Sequence, residues 1–266
     1  MAQDSAHSAK YPIKSLEKAL NILLFLSGDS VGAISADVHS LADISSALGL
    51  SKSSTHRLLD TLVEYNFVER DASSMYRLGW NAYRVGNAVA KTHSISSIDF
   101  SDVHRLCEES DETVTVSLRN GSSAIILYRV LPPSMRRMKS DLGYREYLHA
   151  TALGKILLCE HSSSFIHELL GDGPLERFTP TTITELTELL QELQEVRKNQ
   201  MATDMQEAEY GLNCIAVPIR DHTGEITASL SISIPVARFQ PEHVEQVKHL
   251  LRETATDLSA HLGYQT

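Results

Sequence analysis

The chain has 266 residues, of which 42% are hydrophobic and 22% charged, and its formal net charge is −10. This composition is that of a soluble globular protein of about two domains, and no apolar stretch is long enough to span a membrane. Residues 1–12 lack the apolar core of a signal peptide and are expected to form a disordered tail. The three cysteines lie far apart, which favours reduced thiols and a cytoplasmic location.

The negative charge is concentrated in the second part of the chain. Residues 1–90 contain 8 basic and 9 acidic residues, whereas the remaining residues contain 16 and 25. The first part is therefore nearly neutral, which excludes strong nonspecific binding to DNA by a single copy. The acidic remainder is expected to repel nonspecific DNA.

Residues 13–78 are predicted to form three helices followed by a hairpin. Apolar residues at helical spacing predict the first helix, and they are Leu16, Ala19, Leu20, Leu23, Leu24 and Phe25. Two short helices follow, joined by a tight turn at Gly49, and the hydroxyl of Ser51 suits the N-cap of the second. Their apolar faces consist of Leu41, Ile44 and Leu48 in the first and of Leu58, Leu59, Leu62 and Val63 in the second.

The face opposite these apolar residues in the second short helix is polar and suits a DNA major groove. Hydroxyls and backbone N–H groups at its start can hold phosphates, while His56 or Arg57 can reach base edges. The predicted DNA contacts in this helix are Ser51, Lys52, Ser53, Ser54, Thr55, His56 and Arg57. Ordinary helical hairpins have the same spacing, so this segment alone leaves both interpretations open.

A short hairpin directly after this helix favours the DNA-binding interpretation. Residues 67–71 and 76–78 are predicted strands around a turn at 72–75, as expected for the wing of a winged helix-turn-helix. Arg70 and Arg77 on these strands complete the predicted DNA contacts. Because the domain is nearly neutral, we expect useful binding only from two copies that make specific contacts.

Residues 79–94 are predicted to form a linker helix, and residues 95–266 a second domain. The apolar positions of the linker helix are Trp80, Tyr83, Val85 and Val89, and the simpler interpretation of Trp80 is that it packs on the wing. In the second domain, the patterns predict a helix ending near Asp111, strands at 113–118, 124–130, 136–140, 214–218 and 226–234, and helices at 150–159, 184–199 and 241–262. Helices that flank an antiparallel sheet make an α+β domain, a class that can close over a small ligand.

Six short segments in this order resemble the isocitrate lyase regulator (IclR) family of bacterial transcription factors, over about residues 15–263. The segments are Gly49–Leu59, Tyr76–Gly79, Leu148–Lys155, Phe178–Thr184, Gly211–Cys214 and Ser231–Ser233. The resemblance implies a winged helix-turn-helix, a linker helix and a GAF-like C-terminal effector-binding domain. It also implies homodimers, often paired into homotetramers, on palindromic operator DNA. Residues 28–40 form a longer connection than is usual in the family, interpreted as a surface loop, with contact to DNA or a partner subunit as the alternative.

By the same resemblance, a small organic-acid effector would bind between the sheet and the helix that begins near Thr151. N–H groups at a helix N-terminus attract anions, and residues two apart on a strand face the same side. The effector-binding residues mapped by motif are Thr151, Ala152, Leu153, Gly154, Asp204, Leu212, Cys214, Ser231 and Ser233. Asp204 would repel a carboxylate unless it accepts from a ligand hydroxyl or is itself paired. Cross-strand bonding is the alternative role for the two serines, and His149 is expected to be structural, with ligand contact as its alternative.

The patterns of common enzymes are incomplete in this sequence. Residues 150–156 superficially resemble a phosphate-binding loop, but the leading glycine is missing and Ile156 stands where Ser or Thr is required. No nucleophile-elbow motif appears, and the His and Cys spacings form no zinc pattern, so we expect no catalytic residues, cofactor or metal. We predict an effector-controlled transcriptional regulator, with repression favoured over activation. The alternatives are a small-molecule sensor acting through protein partners and a metabolic enzyme with a degenerate DNA-binding domain.

Overall fold

A computed structural model describes residues 13–27, 38–92, 100–133 and 145–265. The chain divides into two compact units, residues 1–96 and 97–266. Within the described ranges, no helix is both long and apolar enough to cross a membrane. The expected tail, most of the 28–40 connection and the expected strand at 136–140 lie outside the described residues.

The described residues of the first unit form three helices, a two-stranded hairpin and a fourth helix. These elements are α1 (Lys14–Leu26), α2 (Leu41–Ala47), α3 (Lys52–Glu64), β1 (Val68–Arg70), β2 (Tyr76–Leu78) and α4 (Trp80–Thr92). Ser40 and Asp43 form a reciprocal capping box at the start of α2. At the start of α3, the Ser54 N–H donates to Ser51 Oγ (3.3 Å), as the N-cap prediction requires. The core of the unit is formed by Ile22, Phe25, Ile44, Leu59, Val68 and Tyr76.

Helix α4 exposes the aromatic side chains at its start. Trp80 is 73% exposed and Tyr83 is 64% exposed, and their rings meet edge to face with centroids 6.1 Å apart. The expectation that Trp80 packs on the wing is therefore wrong, because the hairpin does not cover its ring.

Among its described residues, the second unit forms a six-stranded antiparallel sheet with helices on both faces. The strands lie in the order β5, β4, β3, β8, β7, β6. Its elements are α5 (Ser101–Ser110), β3 (Thr113–Asn120), β4 (Ser123–Val130), β5 (Arg145–Tyr147), α6 (Ala152–Leu158), α7 (Ser163–Leu170), α8 (Leu186–Asn199), β6 (Ala202–Met205), β7 (Leu212–Arg220), β8 (Ile226–Pro235) and α9 (Pro241–His261). The predicted winged helix-turn-helix and the α+β class of the second domain are thus confirmed.

Alternation along the central strands gives the sheet two different faces. On one face, α5 and α9 cover an apolar core that includes Val114, Val116, Leu230 and Ile232. The opposite face is covered by α6, α7 and α8, with an apolar core that includes Ile156 and Leu189. The residues between those of the first core, which include Thr115, Ser231 and Ser233, point to the α6 side. This row of hydroxyls in an otherwise apolar layer positions the candidate site.

Three of these elements of the second unit were not predicted from the sequence: β5, α7 and β6. Strand β6 has only four residues, too few to show a periodic pattern. Helix α6 is shorter than the predicted 150–159, because Thr151 is its N-cap and Cys159 its C-cap. The three cysteines, all within the described ranges, form no disulfide with one another.

Candidate functional site

The side chains of α3 are divided between a buried and an exposed face. Four of the predicted contacts in the helix are exposed, Lys52, Ser53, His56 and Arg57, while Ser54 is half-buried. Asp60, Thr61 and Glu64 are also exposed. Thr55 is fully buried, and its hydroxyl donates to Ser51 O (3.1 Å). Residues 55, 59 and 62 share one side of the helix, which faces the core. Thr55 is therefore a core residue and not the DNA contact predicted for it.

The exposed face of α3 has the chemistry of a nucleic-acid contact. Arg57 and Lys52 supply positive charge, and the serine hydroxyls at the start of the helix supply hydrogen-bonding groups. His56 Nδ1 lies 2.8 Å from Asp60 Oδ2, one turn further along α3. Both of these side chains are about half exposed, where an ion pair contributes little, so a phosphate or base can compete for the imidazole.

In the wing, both predicted contact residues have partners within the hairpin. Arg77 lies opposite Glu69 in the β1–β2 register, and its Nη2 is 2.9 Å from Glu69 Oε2. Arg70 Nη2 donates to Ser74 Oγ in the turn (2.7 Å). These contacts hold the two guanidinium groups against the strands of the wing.

The second unit contains a cavity of about 220 Å³ between the sheet and the start of α6. It is smaller than the cavities of about 300–1,000 Å³ that bind drug-sized ligands, so it suits a compact molecule. Its lining consists of Thr115, Arg129, Glu146, Tyr147, Thr151, Ala152, Leu153, Asp204, Ala208, Glu209, Cys214, Ser231 and Ser233.

Strand register explains why these polar residues meet. Ser231 on β8 pairs with Thr115 on β3, and Ser233 pairs with Cys214 on β7, which in turn pairs with Asp204 on β6. Ser231 and Ser233 are two residues apart on β8, so they and their paired residues face the same side of the sheet. The Cys214 thiol donates to Ser233 Oγ (3.2 Å), and burial raises the pKa of this thiol far above its ordinary value. Cys214 is thus a neutral thiol in the cavity wall.

The start of α6 forms another wall of the cavity. Thr151 Oγ1 accepts from the Gly154 N–H (3.0 Å) and donates to Tyr147 O (2.8 Å), which ties the helix to β5. The N–H groups of Ala152 and Leu153, in the first turn, have no acceptor within the helix. They can donate to an oxygen of a bound molecule.

Asp204 is a buried carboxyl group in the cavity wall, with only 2% of its surface exposed. Its Oδ1 accepts from the N–H groups of Glu207 (2.6 Å) and Ala208 (3.4 Å). Burial raises the pKa of Asp204 to about 7, with a further contribution from the charge of Glu207, while the two backbone hydrogen bonds oppose the shift. The group therefore changes its protonation state near neutral pH.

The cavity contains most of the effector-binding residues that the motifs map, with two exceptions. Gly154 does not line it: a Cβ added there would clash with the backbone of Leu148, so the glycine permits close packing instead. Leu212 is also outside the lining. His149 is buried, and its Nε2 lies 2.9 Å from Glu176 O, which fits a structural role. Burial lowers the pKa of His149.

Sequence reasoning missed several lining residues on β3, β4 and β5, including Thr115, Arg129 and Glu146. Thr115 belongs to a strand whose alternation was recognised, so its orientation is readable from the sequence once the pocket face is known. Arg129 and Glu146 reach the cavity only through the pairing of β4 with β3 and β5, for which the local sequence carries no signal.

The chain matches two family models in succession. The IclR helix-turn-helix domain matches residues 15–72, and the bacterial transcriptional regulator IclR C-terminal domain matches residues 87–260. The HTH-type transcriptional repressor AllR of Salmonella paratyphi A is 35% identical over 259 residues, which cover 96% of this chain and 92% of that protein.

Solved structures of regulators are also similar to this chain. The crystal structure of Thermotoga maritima IclR is 30% identical, covers 94% of this chain and 99% of its own, and superposes with a TM-score of 0.75. The inducer-binding domain of PobR from Acinetobacter, solved as a double mutant in complex with 3-hydroxybenzoic acid, is 30% identical with a TM-score of 0.56; it covers 60% of this chain and 94% of its own. With a winged helix-turn-helix, an α+β domain with a small polar cavity and these matches, the chain belongs to the IclR family of bacterial transcriptional regulators.

Proposed function

We propose that this regulator is a repressor that binds operator DNA through α3 and the wing and responds to a small organic acid in the cavity of the second unit. In this proposal residues 13–78 bind DNA, residues 79–94 form the linker between the two domains, and residues 95–266 bind the effector. Repression is supported by AllR, a relative named as a transcriptional repressor. The protein would act by binding and not by catalysis, in the cytoplasm where the chromosome lies.

The observation that carries the effector proposal is the composition of the cavity. Hydroxyls of Thr115, Ser231 and Ser233, the neutral thiol of Cys214 and the N–H groups at the start of α6 surround a space of about 220 Å³. Such convergent donors and acceptors suit the oxygens of an organic acid. The PobR inducer-binding domain, which was solved with 3-hydroxybenzoic acid, supports the same class of ligand.

The DNA-binding form is proposed to be a homodimer, or a homotetramer made of two dimers. Helix α1 exposes Leu16, Leu20 and Leu24, which are 54%, 50% and 52% exposed and spaced one turn apart. Such a row on a helix suits the same row of a second copy. The DNA-binding domain is nearly neutral, so one copy has too little positive charge for strong nonspecific binding. Two copies would double the number of specific DNA contacts.

The effector would control DNA binding by favouring one arrangement of the two α3 helices of a dimer. A ligand can shift such an equilibrium only by binding one arrangement more tightly than the other. Because linkage is reciprocal, DNA must then weaken effector binding by the same factor.

Two sets of substitutions separate the roles of the two units. Binding of the full chain to its own upstream DNA is measured by fluorescence anisotropy, with and without the organic acid that most raises its melting temperature. Arg57→Ala should weaken DNA binding at least about tenfold and leave acid affinity unchanged, whereas Arg105→Ala, far from α3 in sequence, is the charge-matched control. Ser231→Val with Ser233→Val should abolish the response to the acid and retain DNA binding. Equal loss of both activities in either variant would contradict the division of roles.

A further inference from the structure

Strand β4 carries a β-bulge beside the cavity. The β3–β4 register shifts between Val116 and Ser117, which makes Leu127 an extra residue on β4. Leu127 and Tyr128 both pack against the core on the α5 side of the sheet, whereas the next residue, Arg129, lines the cavity on the α6 side. Without the extra residue, the alternation along β4 would turn the last two side chains the other way. The bulge therefore decides that Arg129, and not Tyr128, faces the cavity.

Arg129 connects the bulge to the cavity wall. Its Nε donates to Thr115 Oγ1 (3.0 Å), and its Nη2 donates to Glu146 Oε1 (2.8 Å). The side chains of Arg129 and Glu146 are only 17% and 18% exposed. A molecule that enters the cavity therefore meets a guanidinium group held between β3 and β5. A change in these hydrogen bonds acts on the backbone of β4 at the bulge.

Tyr128 connects the other side of the bulge to the start of α5. Its ring stacks on that of Phe100, with centroids 4.1 Å apart and 26° between the ring planes. Its hydroxyl oxygen lies 2.6 Å from His104 Nε2. Phe100 is the N-cap residue of α5, and His104 lies one turn further along that helix. Tyr128 thus holds the first turn of α5 against β4.

The start of α5 is also where the chain arrives from the linker. Helix α4 of the first unit ends at Thr92, and residues 93–99 connect it to Phe100. The covalent route from the cavity to the DNA-binding unit therefore passes through the residue that stacks on Tyr128.

We propose that Tyr128 is the positioning residue that transmits the state of the cavity to the linker. Because Tyr128 and Arg129 are consecutive residues at a bulge, a bound molecule that changes the hydrogen bonds of Arg129 also shifts the Tyr128 ring. Phe100 follows that ring, and its displacement moves the end of the linker. Packed side chains of this kind carry coupling between distant sites when they have two arrangements. This inference rests on the proposed control of DNA binding by the cavity.

The quantity that tests this role is the coupling factor between acid and DNA. It is the ratio of the dissociation constants of the full chain for its upstream DNA with and without saturating acid, measured by fluorescence anisotropy. The acid is whichever of acetate, butanoate, benzoate and 3-hydroxybenzoate most raises the melting temperature of the wild type. Isothermal titration calorimetry gives the affinity for the same acid without DNA.

Loss of the stacked pair should uncouple the two units without abolishing either binding activity. In Tyr128→Leu and in Phe100→Leu we expect the coupling factor to fall at least about threefold, while DNA and acid each still bind. Phe165→Leu is the matched control, because Phe165 stacks on His161 on the other side of the sheet, with centroids 4.4 Å apart and 26° between the planes. It should leave the coupling factor unchanged. A merely structural role of Tyr128 would lower the melting temperature and spare the coupling factor.

Conservative variants cover the case in which Tyr128→Leu does not fold. Tyr128→Phe keeps the ring and removes only the hydroxyl, so its coupling factor should fall less than that of Phe100→Leu. His104→Ala should have the same effect as Tyr128→Phe, and the double variant should lose no more than either single variant, since both remove one contact. Additive effects would contradict a shared role for the two groups.

A second experiment needs no acid. Glu146→Gln replaces one partner of Arg129 and should change the affinity for DNA, whereas the same substitution in a Tyr128→Phe/His104→Ala background should change it less. An equal change in both backgrounds, or none in either, would overturn the inference.

The inference and the proposed function fail in different ways. If the wild type shows coupling and both Tyr128→Leu and Phe100→Leu retain it, or if Phe165→Leu loses as much, the role of Tyr128 is wrong and the proposed function stands. If the wild type binds acid and DNA with a coupling factor of one, the proposed control by the cavity fails, and the role of Tyr128 fails with it.

Discussion

Lys155 on α6 and Glu207 in the segment after β6 form a buried ion pair, with 2.6 Å between Nζ and Oε1. The side chains are 1% and 9% exposed, and Lys155 Nζ also donates to Thr203 O (3.0 Å). Asp204 lies between these two acceptor residues in sequence. The pair thus fastens the helix at one wall of the cavity to the strand that carries Asp204 at another.

Breaking this pair should be costly. Lys155→Met would leave the Glu207 carboxylate buried without its cation, and we expect a loss of about 3–5 kcal/mol in the free energy of unfolding. Adding Glu207→Gln should restore part of that loss. Lys248→Met is the control, because Lys248 pairs with a 73% exposed Glu245 and should contribute less than about 1 kcal/mol. Urea unfolding, monitored by circular dichroism, gives the free energy of unfolding of the single variant, the double variant and the control. Similar losses of stability in Lys155→Met and in the control would contradict the structural role of the pair.

A side chain at Gly154 should destabilise the second unit. In Gly154→Ala the new Cβ would clash with the Leu148 backbone, which must shift together with α6, and we expect destabilisation of about 1–3 kcal/mol. Gly173→Ala is the matched control, because a Cβ there would meet no atom within 4 Å. Thermal unfolding compares the two variants. Equal melting temperatures would show that the α6–Leu148 contact is looser than described.

Asp204 should make stability depend on pH in a defined direction. Its pKa in the native state is about 7, against an ordinary value of 3.8, so the native state holds a proton that the unfolded state releases over this range. The contribution of Asp204 to the free energy of unfolding therefore falls as the pH rises from about 4 to 7. Asp204→Asn keeps an oxygen that accepts from Glu207 and Ala208 but cannot ionise. The free energy of unfolding of the variant minus that of the wild type should increase by on the order of 2 kcal/mol from pH 5 to pH 8. A difference that does not change with pH would refute the raised pKa.

The apolar row on α1 should matter for assembly. Leu20→Glu would place a charge in the proposed contact between copies, and the dissociation constant of the dimer should rise at least about tenfold. Asn21→Glu adds the same charge at the neighbouring exposed position, outside the row of Leu16, Leu20 and Leu24. Sedimentation equilibrium measures both variants. A dimer unaffected by Leu20→Glu assembles through another surface.

The sequence predicted the local elements well because their signals are local. The Ser51 cap, the alternation in β3 and the spacing of Ser231 and Ser233 each lie within a few residues. The burial of Thr55 was also readable, since it stands four residues before Leu59 on the same helical side. Mapping by motif does not separate Gly154, which allows close packing, from residues that line the cavity.

The positions of Arg129 and Glu146 in the cavity could not be predicted from the sequence, for a different reason. Their meeting depends on pairing between strands and on a register shift between Val116 and Ser117 in the β3–β4 pair. A one-residue change in register moves side chains to the other face of a sheet. Such pairing is decided by the packing of the whole domain and not by the residues of one strand.

Coupling between the cavity and the DNA-binding helix is measured most directly by reciprocal titration. The dissociation constant for the upstream DNA is determined with and without a saturating organic acid, and that for the acid with and without DNA. We predict that the acid weakens DNA binding and that DNA weakens acid binding by the same factor, with no coupling in Ser231→Val/Ser233→Val. A wild-type protein that binds both ligands with no change in either constant would contradict control of DNA binding by the cavity.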